Sequence, residues 1–310
     1  MPRHFISLHD LTSAELAGLL QLGLDVKAHR ARYAGALAGQ TLAMIFQKSS
    51  TRTRVSFEVA MLQLGGHGLF LSGRDIQLGR GETISDTAQV LSRYVDGIMA
   101  RTFAHQDVLD LARFGTVPVV NGLTDDLHPC QVVADLLTVQ EAFGELRGRK
   151  IAYVGDGNNV AHSLMFGAAK AGMDIAVASP AGYRVQEKYL ELARADAEAA
   201  GTRIELTEDP REAVRGASAV YTDVWASMGQ EEEAAKRLRA FAGYQVDAAM
   251  MAEALPEAIF LHCLPCHRGE EVAAEVVDGP QSRVFDEAEN RLHAQKAILL
   301  WLMGGVALPA

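Results

Sequence analysis

The sequence predicts an α/β protein with two domains, each built on a parallel β-sheet flanked by helices. In both halves of the chain, short apolar runs typical of buried strands alternate with segments of helical spacing, which is the pattern of βαβ units. The length of 310 residues also exceeds the roughly 100–200 residues that are usual for one domain. The two observations together predict two sheets rather than one.

The composition indicates a soluble protein that binds neither nucleic acid nor a membrane surface. Acidic residues outnumber basic ones by 39 to 29, so the net charge of −10 disfavours a polyanionic partner. The N-terminus lacks the apolar core of a signal peptide, and no apolar run reaches the roughly 18 residues of a membrane helix. Three cysteines are too few for a disulfide framework. We therefore expect a cytoplasmic protein.

The first half of the chain contains four predicted strands. A helix over residues 12–32, which begins with the capping signals Thr12 and Glu15, precedes the first of them. The strands are predicted at residues 41–46, 67–71, 97–100 and 116–120. Helices are predicted between them at residues 55–64, 82–94 and 108–114, with a polar, glycine-rich loop at 73–81.

A long predicted helix at residues 129–143 bridges the two halves, and a second series of strands follows it. These strands are predicted at residues 151–154, 175–178, 204–206, 219–222 and 259–262, with helices between them. The polar, helix-prone segment 229–238 could act as a lid over a ligand. A final helix is predicted at residues 286–303.

Residues 49–54, with the sequence SSTRTR, carry a strong functional signal. They lie where the first predicted strand passes into a helix, so backbone N–H groups and the positive end of the helix dipole favour an anion there. Hydroxyl groups add donors, and arginine adds a planar fork that fits phosphate oxygens. An ordinary helix cap explains one hydroxyl but not several interleaved with two arginines. We predict an anion site, with phosphate as the ligand.

Polar residues stand at the ends of three other predicted strands, where ligands bind in open parallel sheets. Arg101 ends one strand, and Asp223 and Cys263 each follow another. Each has a structural alternative: a solvent-facing arginine, an aspartate that caps a turn, and a buried, inert cysteine. A carboxylate beside a thiol could instead hold an amine and take part in its deprotonation.

Residues 155–159, with the sequence GDGNN, lie between a predicted strand and a helix and resemble a dinucleotide-binding loop. However, Val160 occupies the third glycine position, and the strand at 175–178 is not followed by the acidic residue that would bind a ribose. We predict a tight turn that caps a helix, and no dinucleotide cofactor.

Residues 263–267 form a Cys-x-x-Cys-His pattern, which also occurs at c-type haem attachment sites. Haem attachment normally accompanies export, and the chain shows no signal segment. A closed zinc site usually draws on two separated ligand pairs, and the sequence has no second pair. We expect neither haem nor a structural metal, while a disulfide or an adventitious zinc ion between Cys263 and Cys266 stays open.

Four further stretches follow SSTRTR in order: HPCQ at 128–131, DVWASMG at 223–229, HCLP at 262–265 and ENR at 289–291. Together they make the chain resemble the aspartate/ornithine transcarbamylase family, and within it the ornithine carbamoyltransferases, from about residue 3 to the last helix. The resemblance implies an active site in a cleft between two domains. Residues 1–143 would bind carbamoyl phosphate, with the C-terminal helix 286–310 packed back on them, and residues 144–285 would bind ornithine.

The resemblance also assigns residues to the two substrates. Carbamoyl phosphate would contact Ser50, Thr51, Arg52, Thr53, Gln77, Arg101, His128, Gln131, Cys263, Leu264 and Arg291. Ornithine would contact Asn159, Asp223, Ser227 and Met228. Four of these residues would be catalytic, namely Arg101, His128, Cys263 and Arg291.

Simple chemistry supports some of these assignments. His128 and Gln131 lie one helical turn apart, so both can face one ligand. A histidine donor and a glutamine acceptor fit the oxygen and the nitrogen of a carbamoyl group, although His128 could simply cap the helix. Arg291 has acidic neighbours, so surface salt bridges are its alternative role. We expect Cys130 to be a core residue.

The implied reaction transfers the carbamoyl group from carbamoyl phosphate to L-ornithine and gives L-citrulline and phosphate, a step of arginine metabolism. No metal or organic cofactor is expected, because carbamoyl phosphate is already activated. The resemblance further implies a homotrimer, or a multiple of trimers, in which Gln77 reaches into a neighbour's site.

Three alternatives stay open at this point. The chain could transfer a carbamoyl group to another acceptor, namely putrescine, an N-acylated ornithine or aspartate. It could be a haem or metal electron-transfer protein that uses Cys263, Cys266 and His267. It could also bind carbamoyl phosphate without turning it over, although the presence of Arg52, Arg101 and the other expected catalytic residues weighs against this.

Overall fold

The computed structural model describes residues 2–77, 81–226 and 233–309, which form two units. Unit 1 consists of Met1–Leu137 and Glu289–Ala310, and unit 2 consists of Thr138–Ala288. Each unit contains one parallel sheet flanked by helices, so the predicted fold class is confirmed. Among the described residues, no helix has the length and apolar character needed to span a membrane.

Unit 1 is built on a four-stranded sheet of order β2-β1-β3-β4. Its elements are α1 (Ser13–Ala28), β1 (Thr41–Phe46), α2 (Thr51–Gln63), β2 (His67–Ser72), α3 (Ile84–Leu91), β3 (Gly97–Arg101), α4 (His105–Phe114), β4 (Val119–Leu123) and α5 (Pro129–Phe143), which continues into unit 2. α1 begins with the predicted capping box, in which the Thr12 hydroxyl accepts from the Glu15 N–H and the Glu15 carboxylate accepts from the Thr12 N–H. The helix ends at Ala28, and Arg30–Tyr33 form a 3₁₀ turn instead of its last residues.

Unit 2 is built on a five-stranded sheet of order β7-β6-β5-β8-β9. Its elements are β5 (Lys150–Val154), α6 (Asn159–Lys170), β6 (Asp174–Ala178), α7 (Glu187–Ala200), β7 (Ile204–Thr207), α8 (Pro210–Val214), β8 (Ala219–Thr222), α9 (Ala234–Ala240), α10 (Ala248–Met251), β9 (Ile259–Leu261), α11 (Ala274–Val277) and the start of α12 (Val284–Leu302). The sheet packs on a buried apolar cluster that includes Val154, Phe241 and Phe260.

Several boundaries differ from the prediction, among them those of β4 and α2. β4 spans Val119–Leu123 rather than 116–120, because it pairs with β3 as far as Leu123, which lies opposite Arg101. The N-terminal segment pairs with its first half, where the Asn121 N–H donates to the Phe5 carbonyl at 2.8 Å. α2 begins at Thr51 rather than 55, because Ser50 caps the helix there. Part of the SSTRTR sequence therefore forms the first turn of a helix.

Each sheet has a switch point, where two neighbouring strands are followed by connections that run to opposite sides of the sheet. In unit 1 the chain leaves β1 towards β2 on one side and leaves β3 towards β4 on the other. In unit 2 it leaves β5 and β8 in opposite directions in the same way. Such switch points open a crevice at the carboxyl ends of the strands, and ligands bind there. Ligand-binding residues are therefore expected in the segments that follow β1, β3, β5 and β8.

Lys296 on α12 is a buried cation in unit 1 whose ionisation affects stability. Its ammonium donates to the Gln63 side chain, and burial, with the nearby charge of Arg30, lowers its pKa to about 8. In the unfolded chain the pKa of a lysine is about 10.4. Below pH 8 the folded state therefore carries the full cost of a buried charge, and this cost is relieved as the pH rises from 8 to about 10.4.

We expect Lys296→Met to remove this pH dependence. Between pH 7 and pH 10 the melting temperature of the wild type should rise relative to that of the variant, because only the wild type sheds the buried charge. The measurement is thermal unfolding of both proteins at the two pH values. A difference in melting temperature that is the same at pH 7 and pH 10 would contradict the assignment.

Candidate functional site

The segment after β1 forms a capped helix start. The Ser50 hydroxyl accepts from the Thr53 N–H at 3.1 Å, which fixes the first turn of α2. The N–H groups at the start of a helix have no partner within the helix, and they attract anions together with the helix dipole. Thr51 is exposed here and Ser50 is half-buried, so both lie close to solvent. The predicted anion site therefore lies at the start of a capped helix.

The two arginines of this turn have different surroundings. Arg54 is exposed, lies 3.7 Å from the centre of the Phe70 ring and pairs with Glu58 at 3.6 Å. Arg52 is half-buried, and its charge is one of those that lower the pKa of His128. Arg52 is therefore the arginine of the turn whose charge acts on another candidate residue.

Arg291 joins three helices of unit 1. One guanidinium nitrogen donates to the Thr53 hydroxyl on α2 at 3.0 Å, and another donates to the Gln131 side-chain oxygen on α5 at 2.7 Å. The Gln131 amide in turn donates to Asp135 at 2.8 Å. All four side chains are buried, so Arg291 is part of the interior and not of a surface salt-bridge network.

The charges of three guanidinium groups act on His128, and we call Arg52, Arg101, Arg291 and His128 the arginine cluster. Burial, followed by the charges of Arg291, Arg101 and Arg52, lowers the pKa of His128 well below its ordinary value of 6.5. The imidazole is therefore neutral at neutral pH, with one N–H donor and one acceptor. A concentration of positive charge beside a neutral donor is suited to a ligand with a phosphate and a carbonyl oxygen.

Arg101 enters the cluster from the switch point of the sheet. It is the last residue of β3, is only 5% exposed, and its carbonyl accepts from the Gln47 N–H in the segment after β1.

The prediction that Cys130 is a core residue is confirmed. Its buried thiol donates to the Asn121 carbonyl, and burial raises its pKa to about 12. Gln77 is exposed in the loop after β2, and none of its described contacts involves the cluster.

A second group of candidate residues lies at the switch point of unit 2, around Asp223. One Asp223 oxygen accepts from the Cys263 thiol at 3.1 Å and from the Val224 N–H at 2.8 Å. The other oxygen accepts from the Asn158 side-chain amide at 2.8 Å. The carboxylate and the thiol predicted at separate strand ends are therefore in direct contact, and we call Asp223, Cys263 and Asn158 the Asp223 group.

Asn158 is a member of this group that the sequence interpretation missed. Its side-chain oxygen caps α6 by accepting from the Val160 and Ala161 N–H groups, and the Tyr153 hydroxyl donates to it at 3.2 Å. Its amide nitrogen is not used by the cap, and it donates to Asp223 and orients that carboxylate. The available signal was an asparagine directly before a predicted helix, which is a preferred cap that also carries a donor. Asn159, the predicted ligand contact, is the next residue and the first of α6.

Cys263 and Leu264 lie in a strained turn after β9. Leu264 has a φ of 55°, a conformation that a branched residue rarely adopts outside functional sites. Buried His262 supports the turn, because its ring Nδ1 accepts from the Leu264 N–H at 2.9 Å. Its backbone N–H donates to the Glu287 carboxylate at 2.8 Å. In the sequence, His262 stands out only as the first residue of the HCLP stretch.

Arg237 ties the segment after Asp223 to the turn after β5. Its guanidinium pairs with Asp156 at 2.6 Å, donates to the Trp225 carbonyl at 2.7 Å and lies over the Tyr183 ring. Burial raises the pKa of Asp156 even though Arg237 favours its ionised form. Ser227 and Met228, predicted ligand contacts, lie outside the described residues, as does the first part of the predicted lid at 229–238.

The side chains of Asp223, His262 and Cys263 lie close enough together to be considered as metal ligands. However, His262 uses Nδ1 for Leu264 and Nε2 for Glu271, so neither ring nitrogen points to a shared ion. Cys130, Cys263 and Cys266, all within the described residues, are thiols, and the Cys266 sulfur accepts from Arg268. The disulfide left open by the sequence is therefore not formed.

Comparison with known proteins agrees with these features. Residues 3–141 match the family described as aspartate/ornithine carbamoyltransferase, carbamoyl-P binding domain, and residues 147–302 match its Asp/Orn binding domain. A protein of Symbiobacterium thermophilum named ornithine carbamoyltransferase is 61% identical over 97% of this chain and 98% of its own. The solved ornithine carbamoyltransferase from Pyrococcus furiosus is 54% identical, with a TM-score of 0.95 over 99% of this chain and 98% of that one.

The fold and these matches define a transferase built from two parallel-sheet units. Since the family matches cover most of the chain, the chain belongs to the aspartate/ornithine carbamoyltransferase family.

Proposed function

We propose that this chain is an ornithine carbamoyltransferase, which transfers the carbamoyl group of carbamoyl phosphate to L-ornithine and releases L-citrulline and phosphate in arginine metabolism. The observation that carries the proposal is the Asp223 group, in which a carboxylate fixed by Asn158 contacts a thiol at 3.1 Å. Relatives that are 54–61% identical and bear the name ornithine carbamoyltransferase support the choice of acceptor.

Unit 1 supplies the groups that the leaving phosphate and the carbonyl require. We assign Ser50, Thr51, Arg52 and Thr53 to the phosphate, because they form the start of α2. Arg101, His128 and Arg291 are assigned to the carbonyl oxygen, whose negative charge grows as the tetrahedral intermediate forms. The Gln131 oxygen, which accepts from Arg291, is assigned to the carbamoyl nitrogen.

Unit 2 supplies the groups that the amine requires. A lysine-like amine has a pKa of about 10.4 in water and must be neutral to attack. Asp223 would attract the ammonium, and Cys263 with Leu264 would orient it for proton loss while contacting the carbamoyl group. We assign Asn159, Ser227 and Met228 to the ornithine backbone groups. The reaction further requires the two reacting atoms to meet at about 3–3.5 Å.

The experiment that tests the proposal is a citrulline assay with carbamoyl phosphate and four acceptors in separate reactions: ornithine, putrescine, N-acetylornithine and aspartate, with product identified by mass. Turnover with ornithine alone is expected. Turnover with another acceptor would agree with the assignment of unit 1 to carbamoyl phosphate but contradict the assignment of unit 2 to ornithine. Carbamoyl phosphate binding without turnover in any reaction would indicate a non-catalytic protein.

Arg237 is proposed as a positioning residue for the amino-acid side of the site, and we expect Arg237→Met to raise the KM for ornithine by about tenfold or more. The variant leaves Asp156 buried without its cation and removes the tie to Trp225, which adjoins Asp223. Steady-state kinetics should show an unchanged KM for carbamoyl phosphate, whose assigned residues lie mainly in unit 1.

The matched control for this variant is Arg194→Met, an exposed arginine on α7, which should leave both KM values unchanged. Arg237→Met will also lower the melting temperature, so the kinetic result decides the role. A variant that melts earlier but keeps its ornithine KM would show that Arg237 is only structural.

We also propose a homotrimer, or a multiple of trimers, located in the cytoplasm, in which Gln77 acts in a neighbour's site. The exposure of Gln77 is compatible with this role. Refolding a mixture of Gln77→Ala and Asp223→Asn chains tests it. If Gln77 acts in a neighbouring subunit, hybrid trimers contain some sites with both residues intact and regain activity. If Gln77 acts in its own subunit, no mixture regains activity.

A further inference from the structure

A separate group of metal-ligand side chains follows the turn at Leu264. His267, Glu270 and Glu271 each place a donor atom within 4.8 Å of those of the other two. The His267 Nδ1 lies 3.8 Å from a Glu270 oxygen and 3.7 Å from Glu271 Oε2. His267 and Glu270 are exposed, whereas Glu271 is completely buried. The group is therefore open to solvent on one side and anchored in the interior on the other.

The two oxygens of Glu271 have different surroundings. Oε1 accepts from the His267 N–H at 2.5 Å and lies 3.2 Å from the His262 Nε2. Because His262 Nδ1 accepts from Leu264, its proton is on Nε2 and is donated to Glu271. Oε2 is buried and accepts no hydrogen bond within the described chain, and it faces His267. A buried carboxylate oxygen that accepts no hydrogen bond is costly, and a cation between Oε2 and the imidazole would remove this cost.

The spacing of the donors is close to that of a metal site. With metal–nitrogen and metal–oxygen bonds of about 2.0–2.2 Å, two ligands of a tetrahedral ion lie about 3.3–3.5 Å apart. The distances of 3.7 and 3.8 Å from His267 exceed this range by a few tenths of an ångström, and the two carboxylates lie within 4.8 Å of each other, so closure on an ion requires exposed His267 and Glu270 to move. The nearby Arg268 does not oppose a cation, because Asp278 pairs with it at 2.6 Å.

We propose that His267, Glu270 and Glu271 bind a divalent first-row transition metal ion of the Zn²⁺ class, with water as the remaining ligand. One imidazole and two carboxylates favour such an ion over Ca²⁺ or Mg²⁺, which prefer oxygen ligands alone. The Asp223 group is not involved. Since Glu271 also holds His262, and His262 holds the Leu264 N–H, the bound ion stabilises the turn that carries Cys263.

Titration of the chelator-treated full-length protein with Co²⁺ tests the site. One equivalent should bind and give visible d–d absorption without the near-ultraviolet charge-transfer band of a thiolate ligand. Zn²⁺ should displace it, raise the melting temperature and slow hydrogen exchange at the Leu264 N–H. His267→Ala and, separately, Glu270→Gln should lose these effects, and both positions are exposed, so the fold is preserved. Glu275→Gln, an exposed acid on α11, is the matched control and should bind normally.

Several results would overturn the proposal. The site is wrong if His267→Ala binds Co²⁺ as the wild type does, or if no saturable binding is found up to about millimolar metal. A thiolate band that disappears in Cys263→Ser or Cys266→Ser would place the ion on the cysteines instead. Binding without slower exchange at Leu264 would overturn the coupling to the turn.

Discussion

Asp223→Asn should lower kcat/KM for ornithine by about 10²–10⁴-fold, the usual contribution of a positioned acid or base. The substitution removes the negative charge that attracts the ammonium. It also replaces one acceptor oxygen with an NH₂ group, so the carboxyamide can no longer accept from both Asn158 and Cys263. Steady-state kinetics with ornithine, together with equilibrium binding of carbamoyl phosphate, provide the measurement. Carbamoyl phosphate binding should change little, because the arginine cluster is untouched.

Asp247→Asn is the matched control for this prediction. Asp247 lies in the same unit and caps α10 by accepting from the Met250 N–H, a task that asparagine performs equally well. We therefore expect wild-type kinetics and stability. An Asp223→Asn variant that keeps kcat/KM within about threefold of the wild type would remove Asp223 from the mechanism.

Arg52→Ala should abolish most turnover, by about 10²–10³-fold in kcat/KM for carbamoyl phosphate, with the fold intact. Arg52 belongs to the arginine cluster and lies in the first turn of α2, where its guanidinium can pair with phosphate oxygens during their release. Alanine is a better helix former than arginine, so α2 itself should not suffer. The measurements are steady-state kinetics, calorimetric binding of carbamoyl phosphate and thermal unfolding.

The control for Arg52→Ala is Arg113→Ala on α4 of the same unit. That guanidinium is exposed and lies over the Phe114 ring at the surface, 5.1 Å from its centre, so its loss should leave the kinetics unchanged. An Arg52→Ala protein that turns over normally with unchanged carbamoyl phosphate affinity would show that the anion site is not at the start of α2.

The nine strands were predictable because the signals that mark them are local. The apolar run at 41–46 and that at 219–222 coincide with β1 and β8, since a buried parallel strand must be apolar over its whole length. β4 was misplaced by three residues at each end. Asn121 and Gly122 are poor strand formers, and the strand continues through them because it pairs with β3 as far as Arg101 and, at Asn121, with Phe5, more than a hundred residues away.

The candidate site shows the same division. An anion site could be predicted at residues 49–54, but the sequence does not distinguish Arg52 from Arg54. Only packing distinguishes them, because Arg54 contacts Phe70 and Glu58 while the charge of Arg52 acts on His128. The sequence indicated only a helix cap at Asn158, because its contact with Asp223 spans 65 residues of sequence.

The sequence by itself determined the fold class, the places where strands pass into helices, and the types of residue that the chemistry needs. These follow from short-range periodicity, capping and the positions of strand ends. The tertiary structure alone decided which of those residues meet. Arg291 reaches Gln131 across 160 residues and Thr53 across 238, and it does so through hydrogen bonds in a buried interior. Such contacts depend on how helices pack, and no pattern confined to a short stretch of chain encodes that packing.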